Sequence, residues 1–187
     1  MTAAPLLTTR EIRWKTRRMS IRRIAAAAII LGMMPAGSPA GAGVAINHLP
    51  SLPTIEAKLG KTKFTLWIAA TNAQQDRGLM YIRRLPANTG MLFYFRRPVI
   101  ARFWMRHTLI PLDILYIRKS GKIVNCFTMP VDNGKKTYIS SRPITIAIEL
   151  AAGAIHRLGL HTGQVLHLPE RKLLRQVKIA DGEAVQP

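Results

Sequence analysis

The chain has 187 residues, with 28 Lys and Arg against 9 acids, a net charge of +19 and a single cysteine, Cys126. One cysteine excludes an intramolecular disulfide, no apolar run approaches the ~18 residues of a spanning helix, and the length suits one ordinary domain. So positive a field attracts polyanions such as nucleic acid, anionic lipid head groups or acidic polysaccharide, although the bases are scattered along the chain rather than clustered.

Residues 10–23 are strongly basic, Ile24–Met34 is an uncharged apolar run of eleven, and small residues follow Pro35 through Val44. A basic segment, a short apolar segment and a small-residue zone predict an export signal. Ala40-Gly41-Ala42 supplies the cleavage pattern, so residues 1–42 are read as a signal peptide cut after Ala42, or after Ala40 as second choice. Met19 is an alternative start, because a complete signal follows it. Eleven residues rise only about 16 Å as a helix, too short to anchor the chain in a bilayer. The segment before residue 24 holds seven of the bases and one acid, so the remainder still carries 21 bases against 8 acids.

Residues 43–61, with Pro50 and Pro53, are read as a linker. Thr62–Ala69 alternates, with Phe64, Leu66 and Ile68 on one face, and predicts a strand. Thr71 with Gln74 forms a capping-box pattern that opens a short helix ending near Gly78. Gly90–Phe95 predicts an apolar strand closed by Pro98, and Ile100–Met105 another strand. Leu112–Ile117 and Lys122–Thr128 predict a hairpin around Arg118–Gly121, and Asp132-Asn133-Gly134 a turn. Ile144–Ile148 alternates as a strand, Ala151–Leu158 predicts a helix with Gly159 at its C-cap, and Gly163–Leu168 a last core strand. Residues 169–187 are read as a polar tail. The fold class is α+β: one domain over residues 62–168, a mostly antiparallel sheet or barrel-like arrangement with two short helices.

Gly78-Leu79-Met80, Gly90–Phe93, the run Phe103–Asp113 and Glu149–Gly153 followed by Leu158-Gly159-Leu160 and Gly163 occur in that order. In order and spacing they resemble the domain of unknown function 192 family, over roughly residues 55–168. The resemblance implies a compact β-rich domain, often behind a signal peptide, without an established activity. Two positions depart from the family pattern. His107 stands where the family usually has Asn, and Gln74-Gln75 stands where it usually has a Glu-Arg pair.

The candidate site residues follow from the chemistry. Asp113 lies between Leu112 and Ile114 in an apolar strand, where a carboxylate needs hydrogen bonds or a cation. It is expected to tie down the Thr108–Pro111 turn by accepting backbone N–H groups; the alternative is a partner across that turn, Arg106 or His107. Glu149 ends a strand just before a helix and is expected to accept N–H groups at that helix N-terminus. If the two acids converge, they form a carboxylate pair. Arg102, Trp104, Arg106 and His107 combine charge with a flat apolar surface, which as an exposed face would stack a sugar or base. Cys126, among apolar neighbours, is expected to be a buried, unactivated thiol.

Other chemistries find little support. Only four acids fall between residues 64 and 168, too few for a calcium or magnesium cage. His156, His161 and His167 do not share one face of a helix or strand, so no metal and no cofactor is expected. No recognition motif accompanies the charge, which excludes sequence-specific nucleic-acid binding as the expected role. The reading is an exported protein, periplasmic or secreted, with no transmembrane span after signal cleavage. Its expected role is a non-enzymatic module that binds an anionic glycan, a lipid surface or a protein partner through Arg102, Trp104, Arg106 and His107. The alternative is a small hydrolase or lyase acting on cell-envelope material, with His107, Asp113 and Glu149 as acid–base groups.

Overall fold

The computed structural model describes residues 50–182. The expected export signal, residues 1–42, therefore lies outside the described residues. Eight strands and three helices are present: β1 (Thr54–Leu59), β2 (Thr62–Ala69), α1 (Asn72–Arg77), β3 (Thr89–Val99), β4 (Arg102–Trp104), β5 (Leu112–Ile117), β6 (Ile123–Met129), β7 (Thr137–Ile139), β8 (Ile144–Ala151), α2 (Ala154–Leu158) and α3 (Glu170–Ala180). Six strands form one sheet in the order β1-β2-β3-β8-β5-β6, and β4 pairs with β7 in a separate ribbon. The sheet is open rather than a closed barrel, and it is mixed, since β2 and β3 run parallel while the other neighbours are antiparallel.

Both faces of the sheet are covered. Alternation along a strand sends successive side chains to opposite faces. Leu66, Ile68, Leu92, Leu115, Ile148 and Leu150 pack on one side with Ala154, Leu173 and Val177 of the helices. Ala69, Met91, Phe93, Ile114, Tyr116 and Ala147 pack on the other, under Leu79, Ile82, Met105 and Tyr138. The central strands β5 and β8 are therefore buried almost throughout, which explains their near-continuous apolar runs. At Gly90, opposite Leu150, a Cβ would lie 2.3 Å from the Glu149 carbonyl oxygen and 2.7 Å from a Leu150 methyl. Only glycine lets β3 approach β8 this closely.

Several elements differ from expectation, each for a physical reason. Residues 54–59, within the expected linker, are the edge strand β1, whose Ile55, Ala57 and Leu59 alternate inward between exposed polar residues. Residues 170–180, within the expected tail, form α3. Leu173 and Val177, four residues apart, bury one stripe of a helix otherwise dressed in charge. There are thus three helices rather than two. β3 continues past a register irregularity through Pro98 to Val99 instead of closing at Pro98. Ile100–Met105 contributes only the three residues of β4. Gly163–Leu168 makes a single bridge, Lys122 to Val165, rather than a strand. α2 starts at Ala154 rather than Ala151, because Ala151 is still paired with Leu112. The capping box of α1 and the left-handed Gly159 cap of α2 are present as expected.

Candidate functional site

Asp113 is fully buried, and its carboxylate is fully occupied. The Thr128 hydroxyl donates to Oδ1 at 2.7 Å, and the Ile155 backbone N–H donates to Oδ2 at 2.7 Å. Thr128 stands opposite Asp113 on β6, and Ile155 is in the first turn of α2. The partners are therefore a neighbouring strand and a helix N-terminus, not the Thr108–Pro111 turn, Arg106 or His107. Asp113 performs the capping task that the sequence assigned to Glu149.

Glu149 has a different environment. In the β5–β8 register Asp113 pairs with Leu150 and Ile114 with Glu149. The two acids consequently point to opposite faces of the sheet and do not form a pair. Glu149 is only 5% exposed. Among the described residues no hydrogen bond or ion pair of its carboxyl is found. Burial pushes its pKa up to about 8, so the group carries its proton at neutral pH. Beside it, burial first and the Glu149 charge second raise the Tyr116 hydroxyl well above its ordinary value. That hydroxyl donates to the Tyr138 carbonyl at 2.9 Å and is committed there.

Glu149 lies at a cavity of about 230 Å³, lined also by Arg77, Phe95, Arg102, Phe103 and Trp104. Trp104 is 48% exposed, so its ring is available to a ligand rather than locked in the core. Phe103 is held edge-on by Phe93 and Tyr116, at centroid distances of 4.8 and 5.8 Å. The cavity thus joins three sequence-selected residues, Arg102, Trp104 and Glu149. The others stand apart. His107 is exposed, does not line the cavity, and stacks on Tyr81 at 5.3 Å. Its φ of 54° is left-handed, and the Tyr81 N–H donates to its carbonyl at 2.9 Å. His, like Asn, is among the residues that adopt this conformation most readily, so backbone geometry accounts for either residue at this position. Arg106 is exposed and packs against Gly134.

The Gln74-Gln75 departure is also structural. Gln74 Oε1 accepts from the N–H groups of Ala70 and Thr71 at 2.9 and 3.0 Å, and its amide donates to the Ala180 carbonyl at 3.0 Å. Gln75 donates to the Tyr94 carbonyl at 2.8 Å. These bonds hold α1 against β2, β3 and α3. Arg77 follows at the end of that helix, its guanidinium 4.8 Å from the Tyr81 ring centroid. Sequence reading passed over Arg77 and Phe95. Their only signal was proximity to the Gly78-Leu79-Met80 motif and to the end of an apolar strand.

Cys126 is half-buried at the edge of the core rather than fully buried. Burial is the leading cause of its raised thiol pKa, so it is no activated nucleophile. Among the described residues no group of three His, Cys, Asp or Glu is placed to hold a metal.

A six-stranded mixed sheet, a short β-ribbon and three helices, with a small aromatic cavity lined from α1, β3, β4 and β8, define an α+β domain with one distinctive acid. The chain belongs to the domain of unknown function 192 family, described as uncharacterized, whose model matches residues 54–168. No curated protein matches. A solved structure from Novosphingobium aromaticivorans, of unknown function, is similar with a TM-score of 0.58 and 28% identity, covering 71% of this chain and 94% of that one. A second, from Sinorhizobium meliloti and described as a candidate transcription regulator, is similar with a TM-score of 0.55 and 33% identity, covering 57% of this chain and 83% of that one.

Proposed function

We propose that this protein is an exported, non-enzymatic binding module whose aromatic cavity takes a small ligand carrying an anionic group. The observation that carries the reading is Glu149. Glu149 is 5% exposed and its carboxyl, which opens onto the cavity, has no protein donor among the described residues. Holding an acid there costs stability, and a concave, aromatic-lined site with one perturbed polar group is the usual form of a small-ligand pocket. Arg77 and Arg102 at the cavity supply the charge for an anion. The hydrolase reading needs His107, Asp113 and Glu149 near one reacting proton, and these residues occupy three separate places.

The test is calorimetric titration of the protein with inorganic phosphate, glucuronate and butyrate. At least one should bind, and binding should weaken with salt, since exposed charges are screened beyond about 8 Å at physiological ionic strength. Trp104→Ala should weaken it about five- to tenfold, in keeping with the ~1 kcal/mol of a stacking contact. His107→Asn should leave it unchanged. Absence of binding by all three anions, or indifference to Trp104→Ala, rejects the reading.

Export rests on the charge, length and small-residue pattern before Val44. No described helix is long and apolar enough to cross a membrane. Protein recovered from the envelope fraction should begin between Gly41 and Val44 on N-terminal sequencing. An intact chain in the cytoplasm that starts at Met1 or Met19 rejects it.

A further inference from the structure

The Glu149 carboxyl has no donor among the described residues: the Tyr116 hydroxyl is committed to Tyr138, and the Thr108 hydroxyl at the same cavity donates to the Arg106 carbonyl. A ligand can complete such a group in two ways. It can accept the proton of the neutral acid, or it can donate as a cation to the carboxylate. The walls decide between them. Phe93, Phe95, Phe103 and Trp104 all line the cavity, and aromatic faces attract cations through the negative potential of the ring. An ammonium between such rings and a carboxylate is favoured twice over. An anion at the same depth would instead be set against the acid. Arg77 and Arg102 also line the cavity, and neither pairs with Glu149. They remain available for the anionic end of a ligand.

We infer that the pocket recognises a small zwitterion, whose ammonium donates to the Glu149 carboxylate between the aromatic walls while Arg77 and Arg102 hold its carboxylate or phosphate. This rests on the cavity being a binding site, and names the ligand class for it. A cavity of about 230 Å³ lies below the roughly 300–1,000 Å³ of pockets for drug-sized ligands, which restricts the ligand to a few heavy atoms between its charges.

Proton linkage gives the inference its signature. Glu149 carries a proton in the free protein up to about pH 8, and an ammonium ligand requires the proton to leave to solvent. Affinity should therefore rise with pH from 6 to 8, by up to about tenfold per unit, and level off above. The charged and titratable groups around Glu149 are Tyr116, which stays neutral in this range, Arg77, Arg102 and Asp76.

The experiment is titration calorimetry with γ-aminobutyrate and phosphoethanolamine, beside butyrate, inorganic phosphate and butylamine. It is run at pH 6, 7 and 8 in two buffers of different ionisation enthalpy, with His107→Asn as a control at a position outside the cavity. At least one zwitterion should bind ten times or more tighter than its amine-free counterpart at pH 8, with about one proton released at pH 7. Which zwitterion binds separates a carboxylate from a phosphate ligand. Glu149→Gln should abolish the preference while butyrate or phosphate binding persists. If butyrate or phosphate binds as well as the zwitterions, or affinity falls as pH rises through 8, the ammonium assignment is overturned and anion binding stands. A preference that survives Glu149→Gln also overturns it. If no probe binds, both the assignment and the binding-pocket reading fall.

Discussion

Glu149→Gln is expected to stabilise the protein, and by an amount that grows from pH 5 to pH 8. The folded-state carboxyl titrates at about 8 against 4.5 for an ordinary glutamate. Below 4.5 both the folded and the unfolded chain carry the proton, and the wild type suffers no penalty. Between 4.5 and 8 the folded chain binds a proton that the unfolded chain has released, so stability falls as pH rises. Above 8 both states are ionised and the difference is constant. The slope is about 1.4 kcal/mol per pH unit, which accumulates to roughly 5 kcal/mol across the window. Glutamine has no charge to desolvate and removes this slope. Urea unfolding of both proteins at pH 5, 6.5 and 8 should give similar stabilities at the lowest pH and a gap of several kcal/mol at the highest. Curves that stay parallel would show that Glu149 is ionised and partnered throughout.

Asp113→Ala is expected to act in the opposite direction. The substitution strands the Ile155 N–H and the Thr128 hydroxyl, and it removes two short charge-assisted bonds. Bonds to charged groups contribute about 1.5–3 kcal/mol each, part of which Thr128 regains from water because it is exposed. A net loss of about 2–4 kcal/mol should result. α2 has only five residues, too few to persist without tertiary support, so amide exchange should accelerate first at Ala154–Leu158. Asp113→Asn keeps one acceptor oxygen and should recover part of the loss. An unchanged melting temperature for Asp113→Ala would refute the tether.

What was legible in the sequence was what short-range periodicity encodes. Phe64, Leu66 and Ile68 announced β2, and Thr71 with Gln74 announced the start of α1. β1 was missed because Pro50 and Pro53 precede a short edge strand whose outer face carries Thr54, Glu56 and Lys58. α3 was missed because four bases between Arg171 and Lys178 mask a stripe of only two buried residues. The site was half legible. Trp104, Arg102 and Glu149 drew attention for their chemistry, yet the capping of α2 expected of Glu149 falls to Asp113. Proximity along the chain favoured Glu149 as the cap of α2. The pairing of Ile114 with Glu149 gives that task to Asp113 instead, and strand register cannot be read from either strand alone.

The parallel pairing of β2 with β3 has a consequence for which part of the cavity is open to change. Parallel neighbours need a crossover, and here residues 70–88 cross over and supply Arg77 and Gly78 to the cavity mouth. Glu149, by contrast, is carried by β8, clasped between β3 and β5 at the middle of the sheet. A crossover tolerates insertion and substitution far better than a central strand does. Substitutions and insertions in the crossover can therefore reshape the rim of the cavity without disturbing the strand that carries Glu149.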